Sequence, residues 1–186
     1  MFRFCLALML FCISFTCFSQ DKKGSDTTQK VVFTEVVKVD SVNRFDLYLK
    51  AVKWVEKQKF EVVEEDQLGG KIIAKNSFIV YTDKGVLAKP NGDFTHDVVI
   101  ELKDGRYRYT FSNFIYRQYK QDRNLKYVPV KGQKPIEDGK AAGWKKQWGK
   151  NKIQVTNKIN DYISSLNNML KYVPTVKIVE KPKDDW

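Results

Sequence analysis

One stretch in the middle of the chain, VVIELKDGRYRYTF from Val98 to Phe111, closes into a hairpin in a single register that sorts its side chains. Asp104-Gly105 favours the tight primed turn that joins two antiparallel strands. With those two residues as the loop, Leu102 faces Tyr107, Ile100 faces Tyr109 and Val98 faces Phe111, all on one side. Glu101 faces Arg108 on the other side, where opposite charges pair favourably. A slip of one residue would turn every aromatic to water, so the pattern fixes the register. Only Lys103 opposite Arg106, beside the turn, sets like charges together. The Arg/Tyr alternation is thus the inside/outside period of a half-buried strand. An RNA-binding strand would expose its aromatic rings for base stacking.

The flanking sequence extends the sheet on both sides. VVFTEVVKVD (31–40) is β-branched and reads as a strand. Ser41 is a candidate N-cap for a helix over 42–59, in which Phe45, Tyr48, Leu49, Val52 and Val55 recur at helical spacing. FEVVEED from Phe60, a turn at Leu68-Gly69-Gly70 and KIIAKNSFIVYT supply two strands. Gly85, Pro90 and Gly92 mark a turn, placing the start of the next strand near Phe94. From Gln118 to Asn151 glycines and prolines break any period, predicting a long loop that is strongly basic: ten basic and three acidic residues lie between Lys120 and Lys152. A late helix follows, with Ile153, Ile159, Tyr162, Ile163, Leu166, Met169 and Leu170 on its apolar stripe, and Pro174 helps end it. Residues 173–186 read as a loose tail with a short candidate strand at Val176 to Val179.

The initial strand, the helix containing LYLKAVKW, the EEDQLGGKIIAK strand-turn-strand, VVIELKDGRYRYTFSN and the late amphipathic helix together resemble domain-of-unknown-function family 4468. That family is described as having a TATA-binding-protein-like (TBP-like) fold and occurs in secreted proteins of Gram-negative bacteria. The likeness covers roughly Val31 to Tyr172, and KDGRYRY with the preceding apolar strand is its most specific part. It implies an α+β domain over 31–172, a curved antiparallel sheet with helices packed on one face in the order β-α-β-β-β-β-α. It implies no activity, and the fold name is no warrant for DNA binding, because function resides in sites.

The first residues, MFRFCLALMLFCISFTCFSQ, carry one cation at Arg3 and an apolar run from Phe4 to Phe15. This is the pattern of a secretory signal peptide over 1–19, with cleavage between Ser19 and Gln20. The run is shorter than the about 20 residues a membrane-spanning helix needs, and no later segment is apolar enough to span. Cys17 lacks the leucine and small residue that a lipobox places before its cysteine, so lipidation there is the weaker reading. Residues 20–30 are polar and aperiodic, a disordered spacer. The expected location is periplasmic or extracellular.

All three cysteines (Cys5, Cys12 and Cys17) lie in this leader, so a processed chain has no disulfide, thiolate metal site or cysteine nucleophile. His96 is the single histidine. Its neighbour Asp97 points to the opposite face of a strand, so the two form no dyad, and His96 reads as a solvent-side residue on an edge strand. Glu64, Glu65 and Asp66 precede a turn, where charge is easily solvated. Neither a calcium-loop spacing nor a phosphate-cradling glycine motif is present. No enzyme, cofactor or metal is expected.

The formal net charge of +11 favours an anionic partner other than nucleic acid. GWKKQWGK places Trp144 and Trp148 four apart among Lys145, Lys146 and Lys150. On a helical turn both indoles would share a face, an aromatic platform ringed by cations that suits a sugar or a lipid headgroup. The alternative is that the tryptophans pack on the sheet and the lysines are merely solvated. Two functions stay open: a non-enzymatic module binding an anionic or amphiphilic envelope component, and an envelope accessory protein that docks to another polypeptide. Oligomeric state is not readable from the sequence.

Overall fold

The structure, a computed structural model, describes residues 30–82, 85, 88–138 and 145–171. The expected signal peptide with its Ser19/Gln20 cut, Cys17, all but the last residue of the spacer, Trp144 and the tail lie outside the described residues. In chain order the elements are β1 (Phe33–Lys38), α1 (Arg44–Lys57), β2 (Glu61–Asp66), β3 (Lys71–Tyr81), β4 (Pro90–Lys103), β5 (Arg106–Gln121), β6 (Tyr127–Pro129), β7 (Lys134–Pro135) and α2 (Lys145–Lys171). The sheet order is β1-β5-β4-β3-β2, with antiparallel pairing throughout and the two short strands β6 and β7 added to β5.

The β4–β5 register is the one the residues dictate: Leu102 faces Tyr107, Ile100 faces Tyr109, Val98 faces Phe111 and Glu101 faces Arg108. All six large side chains of the inner set are buried. Outside, Arg108 donates to Glu101 through Nε at 2.6 Å and Nη2 at 2.5 Å. Further along, the pairing shifts between Thr95 and Asp97, where β5 carries an extra residue. Asn113, at φ 57°, takes up that bulge, and its Nδ2 donates to Asp97 Oδ2 at 2.9 Å. The inward set therefore changes phase from Tyr107, Tyr109 and Phe111 to Phe114 and Tyr116.

This phase change explains why the expected loop over 118–151 is shorter than its sequence suggests. β5 continues to Gln121, turns into β6, and β7 returns to pair with Ile115 and Tyr116. β4 likewise starts earlier than Phe94. Pro90 opens the strand, and Gly92 is required within it because a Cβ there would lie 2.4 Å from the Arg117 carbonyl oxygen.

The first helix is capped by Asn43, not Ser41, whose φ of 63° places it in the preceding turn. Asn43 Oδ1 accepts the Asp46 amide at 2.8 Å. At the other end Lys59 adopts φ 57°, and the Phe60 amide donates to the Val55 carbonyl at 3.0 Å, a Schellman ending that seats Phe60 against Trp54. The buried face is Leu47, Tyr48, Ala51, Trp54 and Val55, while Phe45 and Leu49 are exposed. α2 begins eight residues before Ile153 and buries Trp148, Asn151, Val155, Ile159, Tyr162, Leu166 and Leu170. Ile153 itself is 62% exposed.

His96 corrects its expectation. It lies on β4 between β3 and β5, not on an edge strand, and is 1% exposed. The rings of Phe60, Phe78, Phe111, Phe114 and Tyr162 surround it at 5.6 to 6.0 Å between centroids. Neither imidazole nitrogen has a hydrogen-bond partner among the described residues. Burial pushes its pKa down to about 4; Asp97 favours the charged form and Lys158 opposes it.

Two outcomes are expected. Tyr109→Ser removes a buried ring and its 2.5 Å bond to Glu35, costing about 2–4 kcal/mol in denaturant unfolding, whereas Arg108→Ser costs less than about 1 kcal/mol; equal losses contradict the face assignment. Because the folded pKa of His96 lies below its unfolded value of 6.5, stability is full above that pH and falls as pH drops toward about 4. The loss approaches about 3 kcal/mol. His96→Phe should remove that component of the acid sensitivity and be at least as stable at pH 7; an unchanged pH profile contradicts the placement of His96.

Candidate ligand cleft beside the second helix

β2 covers β3 only between Lys71 and Lys75, so the last turns of β3 need another neighbour. α2 supplies it. Gln154 accepts the Tyr81 amide at 3.0 Å through Oε1 and donates to the Tyr81 carbonyl at 2.8 Å through Nε2, satisfying both backbone groups as an adjacent strand would. Lys150 Nζ donates to the Thr82 carbonyl at 3.3 Å.

The first half of α2 is seated on the sheet by a buried polar set. Asn151, 1% exposed, accepts from Asn91 Nδ2 at 3.2 Å and from Gln147 Nε2 at 2.9 Å. Tyr116 donates its hydroxyl to the Asn91 carbonyl at 2.8 Å, and burial raises its pKa to about 12. Beside them Asp93, 3% exposed, receives both Nε and Nη2 of Arg117 at 3.0 and 2.9 Å. A bidentate guanidinium of this kind holds a buried carboxylate in one orientation.

Between α2 and the end of β3 a cleft of about 640 Å³ opens, lined by Tyr81, Thr82, Ala88, Lys150, Ile153 and Asn157 among others. This volume suits a small organic ligand. Lys146, Lys150, Ile153 and Asn157 follow at helical spacing, so one stripe of α2 carries cations at its start and an exposed isoleucine further along. The wall is mainly apolar and the end near Lys150 is basic.

The residues singled out by sequence divide accordingly. Lys150 lines the cleft, Lys145 and Lys146 are exposed at the start of α2, and Trp144 lies outside the described residues. Trp148 takes the packed alternative: it is 8% exposed, 6.0 Å from Phe94 and 5.2 Å from Tyr116 between ring centroids. An indole in the core cannot serve as an open stacking platform. The sequence reading missed Tyr81, Ala88, Ile153 and Asn157. Two signals for this region were present: Ile153 is out of phase with the Val155, Ile159, Tyr162 and Leu166 stripe, and Asn151 is a polar residue within it.

The acidic residues are occupied structurally. Glu65 accepts the Tyr48 hydroxyl, Asp66 accepts the Gly69 amide at 2.8 Å and Glu64 lies 3.7 Å from Lys71. Among the described residues no group of three or more His, Cys, Asp or Glu is placed to hold a metal, and no helix is long and apolar enough to cross a membrane.

Comparison with known proteins agrees with this architecture. Residues 33–117 match the family model described as domain of unknown function (DUF4468) with TBP-like fold, a shorter span than 31–172 because the match stops before α2. A crystal structure of a DUF4468 family protein from Bacteroides ovatus ATCC 8483 is 13% identical, with a TM-score of 0.57, covering 78% of this chain and 89% of that one. A TBP-like protein from Parabacteroides distasonis ATCC 8503 is 16% identical, with a TM-score of 0.54, covering 75% of this chain and 94% of that one. No curated protein matches the sequence. Over residues 33–117 the chain thus matches the DUF4468 family, and its fold is the TBP-like one.

Proposed function

We propose that the protein is an exported, non-enzymatic binding module of the bacterial envelope that holds an anionic amphiphile in the α2 cleft. The observation that carries this reading is the juxtaposition of an exposed Ile153 with Lys150 in a cleft of about 640 Å³. An apolar chain would lie along Ile153, Ala88 and Tyr81, and its anionic head would meet Lys150 and the helix start at Lys145 and Lys146. The leader sequence supports export, and the positive charge of the whole chain supports an anionic ligand.

The open face of the sheet speaks against nucleic acid. Across it charges alternate in sign, Arg108–Glu101–Lys71–Asp66 in one row and Asp97–Lys75–Glu61 in the next but one, so phosphate backbones meet acids among the cations. The second reading, docking to an envelope protein, is favoured by β2: an edge strand whose six residues are all exposed, Val62 and Val63 included. Its four acids and its bulge between Val62 and Glu64 are devices that discourage strand addition, which favours the cleft.

The test is native mass spectrometry of the chain from Gln20 to Trp186, recovered gently from a bacterial envelope, beside an Ile153→Asp variant. A co-purifying amphiphile should be present on the wild type and reduced at least tenfold on the variant. Because residue 153 is exposed, the variant should lose less than about 1 kcal/mol of stability. Trp148→Ala, by contrast, should lose about 3 kcal/mol and report folding. A bare wild type, or equal loading of both proteins, contradicts the cleft.

A further inference from the structure

The like-charge pair beside the hairpin turn acquires a third member in the fold. Arg106 pairs with Lys103 of β4 on one side and with Lys38 of β1 on the other. Cross-strand partners project to the same face, so Lys38, Arg106 and Lys103 stand in a row on the open side of the sheet, all exposed. Among the described residues none of the three has an ion pair or a side-chain hydrogen bond. The nearest acid in the adjoining row, Glu101, is held by Arg108. A shallow pocket of about 190 Å³ opens beside the row, lined by Val36, Glu101, Lys103, Arg106, Tyr107 and Arg108.

This row breaks the rule that the rest of the open face obeys. Elsewhere each cation has an acid opposite it, as in Arg108–Glu101–Lys71–Asp66. Like charges set directly opposite one another are destabilising, and three in succession on neighbouring strands repeat that cost. A local arrangement that opposes stability without a compensating contact is the mark of a site that serves a ligand.

We infer that the Lys38–Arg106–Lys103 row is a binding site for a phosphate-bearing anion. Arg106 in the middle presents a planar fork suited to two oxygens, and the two lysines supply point charges on either side. The pocket admits a single phosphate group, and Val36 gives it one apolar flank. The site does not rest on the α2 cleft: it lies at the other end of β4, ~40 Å along the strand at about 3.3 Å per residue, and on the opposite face of the sheet.

The test uses the chain from Gln20 to Trp186, the double variant Lys103→Ser/Arg106→Ser, and the equally charged control Lys71→Ser/Lys75→Ser. The probes are inorganic phosphate, followed by amide chemical shifts, and vesicles of phosphatidylglycerol against phosphatidylcholine, followed by co-sedimentation. The wild type should bind phosphate or phosphatidylglycerol vesicles with shifts confined to residues 36–38 and 101–108. The hairpin variant should bind at least tenfold more weakly and melt no lower than the wild type, while the control should change binding less than about threefold. Phosphate binding displaceable from vesicles identifies a free-phosphate pocket, and vesicle binding alone identifies a lipid headgroup as the source; both support the site. Equal loss in the two variants, or no binding of either probe, overturns it.

Discussion

The rings packed around His96 tie both helices to the sheet. Phe60, at the end of α1, meets Trp54 at 5.1 Å and Tyr162 of α2 at 5.2 Å. Tyr162 in turn stacks on His96 at 5.8 Å and on Phe111 of β5 at 6.4 Å. Trp54 Nε1 and Gln58 Nε2 both donate to Ser165 Oγ, closing the helix pair over the same rings. Aromatic pairs contribute beyond their buried area, so this cluster is where removing one ring disturbs three elements. Its position also decides what the molecule can present. With the inner face occupied, the open face, the two edges and the cleft beside α2 are what remain for partners.

How much of this is legible in the sequence depends on whether local pattern or tertiary context decides. The β4–β5 register is legible because turn type, apolar pairing and charge pairing agree on it. The α1 face is less so. Phe45, Leu49 and Val52 recur at helical spacing just as Leu47, Ala51 and Trp54 do, and the sheet selects the second set. His96 shares its strand parity with Phe94 and Val98, which marks the inner face; the expectation of solvent follows only from treating β4 as an edge. The bulge at Asn113 carries no signal beyond a Ser-Asn pair, yet it rephases every residue after Phe111. That single residue hides the second half of β5 and makes the following segment look structureless.

The candidate site was legible only as a neighbourhood. The cations around residue 148 pointed to the start of α2, but aromatic spacing alone could not tell a stacking platform from a core. Trp148 lies against Phe94 and Tyr116, and the exposed apolar residue of that stretch is Ile153. The cation row at the hairpin was half legible: Lys103 against Arg106 follows from the turn, but Lys38 joins it only because β1 pairs with β5 rather than with β2. Charge in this protein is therefore concentrated by topology as well as by composition.

The central claim is that the ring cluster makes helix and sheet one cooperative unit. Native-state hydrogen exchange tests it most directly, by comparing amides of α2 between Ile159 and Leu166 with those of β4 and β5 around Val98 and Phe111. The account predicts that both groups exchange through the same opening, with equal free energies that fall together when Tyr162 is replaced by alanine. Exchange of the α2 amides through a much cheaper opening, with the sheet amides still protected, would contradict it.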